Sequence, residues 1–315
     1  MMEFFNQYPI AKLILAGFGV LYLLDKYLGF SPMDKLINLV GSNYKFKTFS
    51  HLNNPKIQKL IEDFNNKNYS KVESTLKSMS ASYRSFGFKS LGEHTDVKIS
   101  NQWIEKDGSH SLPRIIKAYQ LIHAGWEIRG RGYIDSVSES DLANFKDHLK
   151  QAEYLLIDIS KTTNDLQLNI ASALLKVYKS IDVERETIHN TFKDAERLSS
   201  NDAELNFNYF SAISPKWGGT EDELNTYFNA LNNKSVFIQN LIKAQCYFDL
   251  VHMEENEDKD GKIAAFVNQL KNERVNDQEL YIHELHLLLY WISNNLKLKD
   301  LEKHYKALVK PYWAD

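Results

Sequence analysis

The chain has 315 residues, a formal net charge of −3, 43% hydrophobic residues, one Cys, six Pro and thirteen Gly. So little Gly and Pro excludes collagen-like and low-complexity chains, and the apolar fraction excludes wholesale disorder. The lone Cys246 excludes an internal disulfide or a thiolate metal cluster, and a pI near 6.4 gives no global drive toward nucleic acid.

The near-neutral total hides an asymmetry. Residues 1–60 carry seven Lys against Glu3, Asp25 and Asp34, a balance of +4, so the remaining 255 residues carry −7. Such a split marks off an N-terminal segment, which we place at residues 1–50, ahead of a helical domain over 51–315. The segment holds the most apolar run in the chain, Leu13 to Leu24. A membrane span needs about 20 apolar residues. Residues 8–24 come near that length if the Lys12 amine reaches back to the interface. A helix buried in an all-α core explains the run equally well. A signal peptide fits less well, because Glu3 precedes the run and no small-residue cleavage site follows it. As an anchor, the run would sit in a bacterial inner membrane. Lys26, Lys35, Lys45 and Lys47 would then place the helical domain in the cytoplasm. Without an anchor, the chain would be soluble and cytoplasmic.

From residue 55 onward the apolar residues recur at helical spacing. Asn54-Pro55 is a start signal, with a polar cap before proline at the first helical position. Ile57, Leu60, Ile61 and Phe64 follow on one stripe, and Val72, Leu76 and Met79 mark a return helix from Tyr69. Residues 80–111 are ambiguous. Gly87, Gly92 and Gly108 interrupt them, and both a helix through Trp103 and a short strand at Val97 and Ile99 fit the pattern. Pro113 then opens a helix that carries Ile115, Ile116, Tyr119, Leu121, Ile122 and Trp126. Ser138 caps the next, supported by Asp141. Further helices are predicted over about 165–179, 184–198, 203–213, 220–232, 235–253, 260–272, 277–295 and 298–309, joined by short polar linkers. Alternate helix starts recur every 36 to 40 residues, the spacing of stacked helical hairpins. The predicted fold is therefore all-α: an irregular, tetratricopeptide-like α-solenoid with an N-terminal apolar helix.

Few residues point to chemistry. His283 and His286 share a helix face, with Glu279 one turn before them, but H-E-L-H lacks the spacing of a zinc helix. Cys246 sits in an apolar helix with no paired base and reads as a small core residue. No glycine pair completes a phosphate loop. No catalytic residue, metal site or cofactor is expected. The acidic run Glu254 to Asp260, with Glu254, Glu255, Glu257 and Asp258, lacks the spacing of a calcium loop. It reads as a solvated loop or a docking surface for a basic partner.

Two local patterns stand out. Trp126-Glu127-Ile128-Arg129-Gly130-Arg131-Gly132-Tyr133 ends a helix, with Gly130 and Gly132 suited to a positive-φ cap and Arg129 to the helix dipole. Ser214-Pro215-Lys216-Trp217-Gly218-Gly219-Thr220 is a compact turn. Pro215 stops one helix, Gly218 and Gly219 permit a reversal, and Thr220 with Glu223 caps the next. Trp217 is expected to fold back onto the neighbouring hairpin. Structural punctuation explains both patterns. A binding role for Arg129, Lys216 and Trp217 is the alternative.

The same residues carry a resemblance. A helix ending W-E-x-R-G-x-G, here Trp126 to Gly132, is followed by Val137 and a helix with Phe145 and Ala152. The later P-K-W-G-G is Pro215 to Gly219. Together they resemble a bacterial family of unknown function with a tetratricopeptide-like helical domain, across roughly residues 112–232. The resemblance implies a tetratricopeptide-like helical domain and no established activity; the stacked hairpins, the missing catalytic constellation and the acidic body with its basic N-terminal segment point to the function. The expected function is therefore non-enzymatic binding of another protein, without nucleic acid. Within that class we expect a bacterial immunity protein that neutralises a toxin from a competing cell, with a basic toxin domain as its partner. The alternative is a membrane-tethered scaffold or assembly factor of an envelope complex.

Overall fold

The Asn54 side chain accepts a hydrogen bond from the Ile57 N–H at 3.2 Å, and Pro55 follows in the first helical turn. The cap predicted from Asn-Pro therefore forms. In the computed structural model, residues 54–130, 136–253, 258, 261–272 and 281–309 are described, and all belong to one compact unit, Thr48–Lys310. The apolar run at residues 8–24 and the whole segment 1–50 lie outside the described residues.

The described chain contains α-helices and no strand. In order they are α1 (Pro55–Asn65), α2 (Tyr69–Lys77), α3 (Ala81–His94), α4 (Val97–Lys106), α5 (Ser111–Arg129), α6 (Glu139–Ser160) and α7 (Gln167–Tyr178). They continue with α8 (Arg185–Glu196), α9 (Ala203–Ile213), α10 (Glu221–Leu231), α11 (Val236–Met253), α12 (Lys262–Asn272), α13 (Ile282–Asn295) and α14 (Lys299–Val309). A 3₁₀ turn, Pro215–Trp217, joins α9 to α10. Among the described residues, no helix is long and apolar enough to cross a membrane.

The ambiguous stretch 80–111 is helical, in α3 and α4, and the strand expected as an alternative at Val97 and Ile99 does not form. Its glycines misled the reading for a physical reason. A Cβ on Gly92 would lie 2.8 Å from the Tyr119 carbonyl carbon, and one on Gly87 would lie 3.3 Å from the Leu60 side chain. These two glycines let helices approach closely inside a helix interior; they do not mark turns.

Composition sorts the helices into inner and outer positions. α3, α5, α7, α9, α11 and α13 pack on one another in succession, and α3 also touches α7 and α9. Helix α7 buries residues on every side, from Leu168 to Tyr178, with only Lys176 less than buried. Even its polar Asn169 and Ser172 are inside. Helix α8 instead buries one stripe, Ile188, Phe192 and Ala195, and α10 buries only Tyr227 and Leu231. All-round apolar helices occupy the middle, and amphipathic ones cover them.

Buried polar side chains join neighbouring inner helices. Asn169 donates to the Ser85 hydroxyl at 2.7 Å and to the Ala81 carbonyl at 2.8 Å. Asn208 donates to the Ser172 carbonyl at 2.9 Å, and the Tyr119 hydroxyl donates to the Asn169 carbonyl at 3.2 Å. Each bond satisfies a group that would otherwise be buried at a penalty, and each fixes the register of two helices.

Candidate functional site

Helix α5 ends at Arg129 because Gly130 takes φ 68° and ψ −170°, a conformation open essentially to glycine alone. Its N–H closes the last turn on the Trp126 carbonyl at 3.0 Å. The chain end of α9 is equally constrained. Gly218 is left-handed at φ 82°, and Gly219 passes so close to Ile213 that a Cβ there would lie 1.7 Å from its carbonyl oxygen. Thr220 and Glu223 then form the reciprocal capping box that starts α10. Glu223 is also held by Arg185 at 2.7 Å and by His189 at 2.8 Å. Burial alone would raise its carboxyl, but the Arg185 guanidinium and the Thr220 N–H hold it below the ordinary value.

These two turns meet. The Trp126 and Trp217 rings contact edge to face, 5.6 Å apart at 82°. On its other side Trp126 packs edge-on against Phe145 at 5.0 Å. The Arg129 guanidinium lies 5.6 Å from both indole rings. Lys179, at the C-terminal cap of α7, places its amine 4.6 Å from the Trp126 ring and 5.1 Å from the Trp217 ring. It also reaches the Ser211 hydroxyl at 3.4 Å. Two cations thus share two π-faces.

The electrostatics follow from that crowding. Burial pushes the Lys179 amine down, the positive charges of Lys176, Lys216 and Arg129 push it further, and Asp249 opposes them weakly. The result is a pKa of about 7. Arg129, Trp217 and Lys179 are partly buried, and Lys216 is exposed. The Trp126 indole N–H is buried without a hydrogen-bond acceptor.

The structure therefore brings together Trp126, Arg129, Gly130, Pro215, Lys216, Trp217, Gly218 and Gly219. The sequence reading missed Lys179, which looks like any lysine at a helix end. Gly132 lies outside the described residues, as do Glu254, Glu255 and Glu257. Asp258 is described, and its carboxylate accepts the Ile263 and Ala264 N–H groups at 3.1 and 2.7 Å, opening α12. Cys246, expected in the core, is only partly buried in α11. Among the described residues no group of His, Cys, Asp and Glu is placed to hold a metal ion. His286 instead lies against the Tyr305 ring, centroids 6.2 Å apart.

A second polar cluster was also missed. The Tyr281 hydroxyl donates to Glu204 at 2.7 Å, and Lys89 pairs with Glu284 at 3.4 Å. The Lys89 amine also lies 5.4 Å from the Tyr281 ring. These residues join α3, α9 and the start of α13. Burial pushes the Glu204 carboxyl up to about 7 against the pull of Lys89, the Tyr281 hydroxyl and Lys176. Burial lowers Lys176 as well. Lys89 is raised, because Glu284, Glu93 and Glu204 outweigh its burial. Glu204 and Tyr281 are buried and Lys89 and Glu284 partly so, and the cluster holds three inner helices together.

No family model, curated protein or solved structure matches the chain. The site is thus read from its own geometry.

Proposed function

We propose that this protein is a non-enzymatic module that binds another protein, built as an irregular α-solenoid of helical hairpins. The observation that carries this reading is the convergence of two separate turns on one partly exposed patch of Trp126, Arg129, Lys179, Lys216 and Trp217. Trp and Arg dominate the energetics of protein interfaces, and here both are held in place by neighbouring rings and glycine-fixed turns. The succession of inner helices with amphipathic covers supports the solenoid.

Within that class we assign the role of a bacterial immunity protein that neutralises a toxin. The acidic balance of −7 over residues 61–315 supports a basic toxin domain as the partner, through attraction at long range. The placement that accompanies this role is at the inner membrane through residues 8–24, with the helical domain in the cytoplasm. Cell fractionation tests that placement.

The experiment for the function is a search of the neighbouring genes for a toxin, followed by co-expression with it and affinity capture; finding no such gene counts against the role. Protection of the cell and capture of that toxin are expected, and Trp217→Ala should weaken both while the helical circular dichroism is retained. Equal capture by Trp217→Ala and the wild type would remove this patch from the interface.

A further inference from the structure

Helix α6 has two unlike faces. Its core stripe is Phe145, Leu149, Ala152, Leu156 and Ile159. Lys146, Lys150, Tyr154, Ile157 and Lys161 follow at steps of four, four, three and four residues, so they share the opposite side, and all are exposed. The carboxylates of the same stretch are placed differently. Asp158 is ion-paired with Arg114 of α5, and Glu153 is partly buried. Asp147 stands at the edge of the stripe, held by the Gln151 amide at 2.7 Å. Lys150 attracts Glu153, and Lys161 attracts Asp158, only at longer range. The charge of this stretch is balanced in total but sorted by face, and the outer stripe carries lysine.

Apolar exposure gathers at the same place. Five large apolar side chains are exposed among the described residues, and three of them are Tyr154 (73%), Leu198 (61%) and Ile157 (37%). Leu198, just beyond α8, lines a groove of about 310 Å³. The groove also reaches Ser160, one turn after Ile157, and the apolar Ile170 and Leu174 of α7. Arg197 beside it is paired with Asp194 at 3.0 Å, and Lys193 is exposed.

Lysines set around exposed aromatic and aliphatic side chains match an anionic bilayer surface. The apolar tips reach the boundary between headgroups and acyl chains, while the long lysine stems carry their ammonium groups back to the phosphates. A nucleic-acid backbone would match the lysines but leave Ile157 and Leu198 without a partner. A carboxylate-rich protein would be met better by the planar guanidinium of Arg, and every cation on the stripe is Lys. We propose that the outer face of α6, through Lys146, Lys150, Tyr154, Ile157 and Lys161 with Leu198 beside it, rests on the surface of an anionic membrane. With 22 residues the helix is about 33 Å long, and it lies along the bilayer without crossing it. The inference needs neither the tryptophan patch nor the passage of residues 8–24 through a membrane.

The test uses the full-length chain with Cys246→Ser and Tyr154→Cys, labelled at position 154 with the environment-sensitive dye nitrobenzoxadiazole. Retained helical circular dichroism checks this background. Vesicles are of equal parts phosphatidylglycerol and phosphatidylcholine, or of phosphatidylcholine alone, and flotation is measured on the same samples. With the anionic vesicles the dye emission is expected to move to the blue, at a lipid concentration at least tenfold lower than with phosphatidylcholine. Lys146→Gln, Lys150→Gln and Lys161→Gln together should raise the lipid required by about tenfold or more, because each lysine near the surface contributes several-fold. High salt should act in the same direction. Flotation without a blue shift would show that another segment, such as residues 8–24, holds the vesicle while α6 stays in water, and it would overturn the proposal. So would an equal response to the two kinds of vesicle, or no response to either. A shift produced by duplex DNA or polyglutamate and not by vesicles would assign the stripe to another polyanion, and the membrane inference would fall.

Discussion

Trp126 and Trp217 lie edge to face with their centroids 5.6 Å apart, and this contact ties the end of α5 to the turn between α9 and α10. Neither ring belongs to the continuous apolar core; each is partly buried and shares Arg129 and Lys179 with the other. Their coupling is therefore measurable. Trp217→Ala is expected to cost about 2 kcal/mol in urea unfolding, less than the roughly 3–5 kcal/mol of a fully buried aromatic. In a double-mutant cycle with Trp126→Ala, an interaction energy of about 1 kcal/mol is expected. Strictly additive losses would show that the rings touch without holding the two turns together.

The glycines in these turns should rank by mechanism. At Gly219 an added methyl collides with the Ile213 backbone, so Gly219→Ala should cost about 3 kcal/mol or more, because backbone has to move. At Gly130 the space is open but the conformation is strained, so Gly130→Ala should cost about 1–3 kcal/mol. At Gly218, left-handed and open, about 1 kcal/mol is expected. Thermal melts of the three variants give the order directly, with Gly219→Ala lowest.

Local signals made much of the helical pattern legible in the sequence. Asn54, Ser138 and Thr220 each stand where a polar cap precedes an apolar stripe, and each side chain accepts a backbone N–H there. The capping box at Thr220 and the positive-φ glycines were readable because their chemistry lies within a few residues. Long-range relations were not. Gly92 looks like a breaker until Tyr119 is seen against it, and Lys89 and Glu204 look like surface charges until Tyr281 arrives from α13. For the same reason Lys179 was invisible as a site residue. Its amine is unusual only because Trp126, Trp217, Arg129 and Lys216 surround it, and those come from two other elements.

Asn169 offers a test of the inner packing. Its amide donates to Ser85 and to Ala81 across α3 and α7, fully buried. Asn169→Ala removes both bonds and leaves the Ser85 hydroxyl buried without that donor, so a loss of about 2–3 kcal/mol is expected. Asn272→Ala, at an exposed position on α12, is the control and should stay within about 0.5 kcal/mol. Equal losses in urea unfolding would mean that the Asn169 bonds do not join the helices.

The last prediction concerns pH. Glu204 has its pKa raised from 4.5 to about 7 by burial, so the folded state holds its proton where the unfolded state releases it. Its stabilising contribution is complete below about pH 4.5 and is lost as pH rises toward 7, by up to roughly 3 kcal/mol. Lys179 has its pKa lowered from 10.5 to about 7, so from pH 7 to 10.5 the unfolded state binds the extra proton, and stability rises across that range. Lys176, also lowered by burial, adds to the same limb. Together these groups give unfolding stability a minimum near pH 7, between an acid limb set by Glu204 and a basic limb set by Lys179. Glu204→Gln keeps an acceptor for the Tyr281 hydroxyl and should flatten the acid limb alone. Lys179→Met should shrink the basic limb and leave the acid limb unchanged, with Lys176 supplying what remains. Urea midpoints measured from pH 5 to 9.5 decide it. A stability that rises steadily through pH 7 in the wild type would show that Glu204 keeps its charge in the fold.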